Sequence, residues 1–316
     1  MTTPILLPLQ ISITSDTICP FCFIGLRKLE RALKSSDSIR LASFSHLSGP
    51  PTGKGEGGGV KLVPRVRFLP FQLDPTLPKD HAVSKRETYK KKFGEGRVEM
   101  MERMMIERGR EVGIEFSYGG PIRSTLKSHR LIEKSFQKGG SEAQLKVINS
   151  LFRAYFEKEA DPGSDDLLSR VAEEEGIFET HEQAIAFLES RECLQEVEKG
   201  FMISRLKGIS GVPHFELEVL KPIKDDSPSN ANNHGWFQAV KDPDHEDRLL
   251  ARAEVGGAQE TETFLDVFEK LLQRAVQNLG GQQGLSKLQQ QQPQESGQDS
   301  LAEQAPSCDL QGKGLC

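Results

Sequence analysis

Two cysteines stand two residues apart, Cys19-Pro20-Phe21-Cys22, where an apolar run gives way to a helix-forming one. The thiolate is the nucleophile of disulfide exchange, so a dithiol at this spacing can cycle between two thiols and one internal disulfide. Pro20 suits the first position of a helix, because the N–H it lacks would be unpaired there anyway. Cys19 then falls at the helix N-terminus, where free amide groups and the macrodipole favour an anion. Thiols so placed have pKa values lowered from about 8.5 to roughly 3.5–7.5. Cys22 reads differently. Positions 22, 26, 29 and 33 follow helical spacing, so Cys22 shares an apolar face with Leu26, Leu29 and Leu33. The expectation is an exposed, activated Cys19 that attacks a substrate, and a shielded Cys22 that resolves the mixed disulfide.

Other chemistries fit less well. A C-x-x-C pair can be half of a zinc site, but there is no second pair, and no two of the seven His lie three to five residues apart. Metal is therefore not expected. Inert core cysteines would not need a proline between them at a strand–helix junction. Cys193 stands alone in a helical stretch and reads as a small buried hydrophobe. Cys308 and Cys316 belong to the C-terminal tail. Of four clustered methionines, Met101 and Met105 share helical spacing with Val98 and Val112 and read as core, whereas Met100 and Met104 are open to either domain packing or an adaptable apolar substrate groove. Lys90-Lys91-Lys92 reads as a solvated helix face.

The elements that must position the dithiol follow from periodicity. Leu9, Ile11 and Ile13 alternate as a strand, and a helix runs from about Pro20 to Lys34. A second strand falls near Val66 to Leu73, and residues 84–206 read as helical throughout. Leu145, Ile148, Phe152 and Tyr155 form one helix face there, and Thr180 with Gln183 forms a capping box. Beyond Pro213 the period becomes two, with Phe215, Leu217 and Val219 inward, and Ala251, Ala253 and Val255 offer a partner strand. A last helix carries Phe264, Phe268, Leu271 and Ala275. This order predicts an α/β fold with a helical insertion.

Composition places limits on function. The 316 residues carry 41 Lys+Arg against 46 Asp+Glu, a net charge of -5, which argues against a nucleic-acid partner. No apolar run approaches the roughly 18 residues of a membrane span. Residues 1–26 hold no Lys or Arg, so no secretory or transit signal is expected. The five scattered cysteines suggest a reducing compartment, most simply the cytoplasm. Three segments read as additions to the body: a Gly-rich insertion over 45–64, a polar insertion over 221–248 that includes Trp236-Phe237, and a Gln-rich tail over 281–316 expected to be disordered.

Six segments together resemble the DsbA-like thioredoxin-fold family, in particular its FrnE-type branch. They are Asp16-Thr17-Ile18-Cys19-Pro20-Phe21-Cys22-Phe23-Ile24-Gly25, Pro70-Phe71-Gln72-Leu73-Asp74-Pro75, Ser128-His129-Arg130-Leu131, Leu151-Phe152-Arg153-Ala154-Tyr155-Phe156, Gly208-Ile209-Ser210-Gly211-Val212-Pro213 and Val255-Gly256-Gly257-Ala258-Gln259. The resemblance implies a thioredoxin-like fold in two parts, 1–83 and 207–280, around an inserted helical domain at 84–206. It implies thiol–disulfide oxidoreductase activity on a disulfide- or thiol-containing protein or small molecule. Cys19 would attack and Cys22 resolve, while Pro20, Phe21, Val212 and Pro213 would form the substrate surface, with Pro213 the family's cis proline. No bound cofactor is implied, and glutathione enters as a co-substrate. The branch usually carries Trp and Tyr where this chain has Phe21 and Phe23. His129 reads as structural. The related kappa-class glutathione transferases and 2-hydroxychromene-2-carboxylate isomerases offer an alternative, a glutathione-dependent isomerase or transferase; they normally carry Ser where Cys19 stands.

Overall fold

The alternation around Leu9, Ile11 and Ile13 forms β1 (Ile5–Ser15). The computed structural model describes residues 4–40, 59–222 and 245–289 of the chain. β1 leads through a tight turn into α1 (Pro20–Ser35), and the chain returns as β2 (Val60–Pro70), parallel to β1 along its whole length. A helical block follows: β3 (Val83–Ser84), α2 (Lys85–Phe93), α3 (Glu95–Glu111), β4 (Pro121–Ile122), α4 (Leu126–Glu157), α5 (Asp165–Glu174), α6 (His181–Glu189) and α7 (Leu194–Leu206). The chain then re-enters the sheet as β5 (His214–Leu220), passes α8 (His245–Arg248) and β6 (Leu249–Gly256), and ends in α9 (Thr261–Asn278) and α10 (Gly281–Gln289). β5 runs antiparallel to β1 and β6 antiparallel to β5, so the sheet order is β2-β1-β5-β6.

The apolar faces read from the sequence are the buried ones. Cys22, Leu26, Leu29 and Leu33 of α1 are at most 2% exposed. Leu145, Ile148, Phe152 and Tyr155 of α4 are buried, as are Phe264, Phe268, Leu271 and Ala275 of α9. α9 lies against β5 and β6, with Phe264 edge-on to Phe215 at 5.0 Å between ring centroids. β1 is paired along both edges and covered on both faces, so Gln10, Thr14 and Ser15 are buried along with its apolar residues. Thr180 caps α6 by accepting from the Gln183 N–H, while the Gln183 side chain reaches back one residue further, to the Glu179 N–H.

The boundaries differ from the pattern in five places. Residues 60–64, assigned above to the Gly-rich insertion, belong to β2, because β1 presents pairing partners from Ile5 onward. Pro64 is tolerated because β2 is the outer strand of the sheet. At the other end β2 stops at Pro70, short of Leu73. The helical block contains a short antiparallel pair, Val83↔Ile122 and Ser84↔Pro121. Residues 281–289 of the tail form α10 with Leu285 buried, and His245, at the end of the second insertion, is buried beside Glu218 at 3.2 Å. The expectations for Trp236-Phe237, Cys308, Cys316 and the remainder of the tail lie outside the described residues.

Side chains fasten the helical block to the sheet. Gln144 of α4 accepts from the Phe68 N–H at 2.8 Å and donates to the Phe68 carbonyl at 3.2 Å, meeting both backbone groups of that β2 residue. Arg67 of β2 pairs with Glu133 at 3.2 Å. Phe23 of α1, fully buried, stacks on Phe152 at 5.0 Å and on Phe156 at 6.1 Å, and meets Phe116 edge-on at 6.3 Å. This aromatic cluster presses the first turns of α1 against α4. Phe23→Ala is expected to cost about 3–5 kcal/mol of stability through the cavity it leaves, measured by urea unfolding; a loss under about 1 kcal/mol would contradict the assigned packing.

Candidate active site

The junction between β1 and α1 is closed by two successive turns. The Cys19 N–H donates to the Asp16 carbonyl at 3.1 Å, and the Cys22 N–H donates to the Cys19 carbonyl at 3.0 Å. Cys19 is the N-cap residue of α1, with Pro20 in the first turn. Both thiols are free. The exposed Cys19 expected from the sequence is not what the fold produces: Cys19 is 3% exposed and Cys22 2%. The loop before β5 lies over Cys19, whose Sγ donates to the Val212 carbonyl at 3.4 Å. A contact between residues 193 positions apart has no local signature.

The two thiols differ in environment. Burial pushes the Cys22 thiol well above the ordinary range, and the neighbouring Cys19 thiol pushes it the same way; the Ser15 hydroxyl and the Asp16 backbone pull back in part. Cys193, at the start of α7, is buried as expected, and burial raises its thiol to about 11.

The segments that carry the resemblance converge on this junction. The Asp16 carboxylate accepts from the Leu73 N–H at 2.8 Å, tying the turn to the exit of β2. His129 Nε2 lies 2.9 Å from the Phe71 carbonyl and 3.5 Å from the Asp16 carboxylate, and its ring stands edge-on to Phe201. His129 thus braces the site without facing the thiols. The Val212-Pro213 peptide is cis. The Pro213 carbonyl accepts from the Gly257 N–H at 2.8 Å, and Gly257 has φ +77°, a conformation that favours glycine. Phe21 and Val212 line a groove of about 1120 Å³ that runs from Phe21 and Ile24 of α1 along the 207–212 loop to the ends of β5 and β6. Pro20 completes the helix start, and Pro213 packs on α1.

Gly25 carries a role not recognised from the sequence. A Cβ at this position would lie 2.9 Å from Pro213 Cγ and 3.2 Å from Phe215 Cζ, so only glycine lets the loop approach α1 so closely. Tyr89 was also missed. All three tyrosines of the chain gather around Lys85 or near the site: Lys85 Nζ lies 4.3 Å from the Tyr155 ring and 5.8 Å from the Tyr118 ring, and Tyr89 lies near Cys19 and Asp16. Burial, with a smaller push from the nearby Cys19 and Asp16, raises Tyr89 to about 12. Burial lowers Lys85 to about 8. The sequence signal was available but faint, namely three tyrosines all within or beside the helical block. Among the described residues, no group of three or more His, Cys, Asp or Glu is placed to hold a metal ion.

A four-stranded mixed sheet, a dithiol at the N-terminus of its first helix, and a cis-proline loop over that dithiol define a thioredoxin-like protein interrupted by helices. The profile of the DSBA-like thioredoxin domain matches residues 10–219, and the chain belongs to that family. No curated protein matches the sequence. Among solved structures, the chain is similar to the probable DsbA oxidoreductase of Streptomyces coelicolor, at 21% identity and a TM-score of 0.55, over 86% of this chain and 90% of that one. It is also similar to a Nitrosomonas europaea protein put forward as a protein disulfide isomerase, at 15% identity and a TM-score of 0.51, over 84% and 98%. A weaker likeness, TM-score 0.45 at 12% identity over 86% and 98%, reaches a 2-hydroxychromene-2-carboxylate isomerase. At these identities the likeness establishes the fold alone.

Two outcomes follow from this geometry. Gly25→Ala should slow disulfide exchange at Cys19 roughly tenfold by displacing the loop, with the circular dichroism spectrum unchanged; an unaltered rate would show that the close approach does not position the thiol. Because the Cys22 pKa is raised, its thiolate fraction continues to grow at alkaline pH where a free thiol has already ionised. Alkylation of Cys22 in the folded, reduced protein should therefore keep rising by about tenfold per pH unit above about pH 9. A plateau near the free-thiol midpoint would contradict the burial effect.

Proposed function

We propose that the protein is a thiol–disulfide oxidoreductase working through the Cys19-Pro20-Phe21-Cys22 dithiol. The observation that carries this reading is the pair of free, adjacent thiols at the start of α1, one of them held against the Val212 carbonyl. Cys19 is the attacking residue, since it caps the helix end whose amides and dipole favour an anion. Its thiolate displaces one sulfur of a substrate disulfide, giving a mixed disulfide and a substrate thiolate. The Cys22 thiolate then attacks the Cys19 sulfur, which frees the second substrate thiolate and leaves an internal disulfide. Run in reverse, the same steps oxidise a dithiol substrate.

The substrate is a disulfide- or thiol-containing protein or small molecule, with glutathione as co-substrate. Electrons pass between sulfurs, so the cycle uses no bound cofactor. Phe21 and Val212 contact the substrate, with Pro20 and Pro213 shaping the surface, and an extended substrate pairs with the backbone at Val212. Residues 1–83 and 207–280 act as the thioredoxin-like unit, and 84–206 act as a helical domain set into it. No helix among the described residues is long and apolar enough to cross a membrane. A cytoplasmic setting suits a chain with five scattered cysteines.

Cys19→Ser should abolish reduction of a disulfide substrate, while Cys22→Ser should still attack once and accumulate a mixed disulfide. Titration of the wild-type protein in glutathione buffers should reveal a reversible Cys19–Cys22 disulfide, with a potential between about -270 and -120 mV. If no internal disulfide forms and Cys19→Ser still binds glutathione, the glutathione-dependent isomerase or transferase reading replaces this one.

A further inference from the structure

Most charged side chains around the groove are matched within the protein. Lys207 pairs with Glu216 at 2.7 Å, Lys28 with Glu260 at 2.5 Å, and Arg252 with Glu218, while His214 lies 3.8 Å from Glu254. Arg108 and Glu111 are different. Both lie on α3 and both line the groove. Among the described residues, neither side chain has an ion-pair or hydrogen-bond partner; the Glu111 backbone carbonyl, by contrast, accepts from Arg31. Nor do they pair with each other, although their separation of three residues is one at which Arg27 and Glu30 of α1 join at 2.8 Å. The Arg108 guanidinium carbon sits 5.8 Å from the ring centroid of Phe21, which stands between the two cysteines.

We infer that Arg108 and Glu111 form a subsite for the amino-acid head group of a peptide thiol or its disulfide, the carboxylate on Arg108 and the ammonium on Glu111. A guanidinium fork matches a carboxylate in geometry. An anion alone would meet the Glu111 carboxylate unfavourably, and a cation alone would meet Arg108; a zwitterion satisfies both. The inference rests on the oxidoreductase reading and specifies its substrate class. With glutathione disulfide, the Cys19 thiolate cleaves the S–S bond and expels one glutathione thiolate. Cys22 then closes the internal disulfide and expels the second. Two electrons leave the protein dithiol, and its two protons are taken up by the two glutathione thiolates.

The probes are S-methylglutathione, glutathione disulfide and the uncharged hydroxyethyl disulfide. Calorimetry should show S-methylglutathione binding to the wild type, weakened about fivefold by Arg108→Gln and by Glu111→Gln, the effect of losing one exposed ion pair. Both variants should raise KM for glutathione disulfide by a similar factor and leave hydroxyethyl disulfide turnover unchanged. Absence of wild-type binding, or binding by both variants as tight as that of the wild type, would overturn the subsite. If the wild type reduces neither disulfide yet both variants still weaken S-methylglutathione binding, the redox reading fails and the subsite stands.

Discussion

The close approach of the Val212-Pro213 loop to the first turns of α1 is the constraint on which the site depends. It brings a backbone carbonyl within 3.4 Å of the Cys19 sulfur and buries a thiol that sits at a helix end. The approach is possible because Gly25 presents no side chain where Pro213 and Phe215 pass. The loop is held from behind as well, through the Gly257 N–H on the Pro213 carbonyl. A thiol, a glycine, a proline and a turn glycine thus form one mechanical unit drawn from both ends of the folded body.

The helical block serves that unit in two ways. Phe152 and Phe156 of α4 receive Phe23 and set the tilt of α1, while Gln144 and the Arg67–Glu133 pair fix α4 to the outer strand of the sheet. α3 carries Arg108 to the mouth of the groove, and α2 brings Tyr89 near Cys19. The insertion therefore supplies both support and a wall. Phe23, where the resembling branch usually carries Tyr, fits this arrangement: its ring is fully buried against Phe116, Phe152 and Phe156, and a phenol O–H would need a partner in that cluster.

The two cysteines occupy different surroundings. Cys22 lies in the apolar face of α1 beneath Cys19, so burial and the neighbouring sulfur both favour its protonated form. Cys19 holds the position where helix amides point outward.

Much of this was legible in the chain itself. The period-two and helical apolar patterns located the elements, because a residue's inward or outward direction follows from local geometry. Cys19-Pro20-Phe21-Cys22 declared its chemistry by residue type and by the proline that starts the helix. Other features were decided only in three dimensions. The burial of Cys19, the brace from His129 to Phe71 and Asp16, and the roles of Gly25, Tyr89 and Arg108 arise between segments distant in sequence. The reach of β2 back to Val60 was likewise set by the length of its partner strand, not by its own composition. Periodicity reports which face of an element is buried, but not what packs against that face, and at this site the neighbours determine the environment of the thiols.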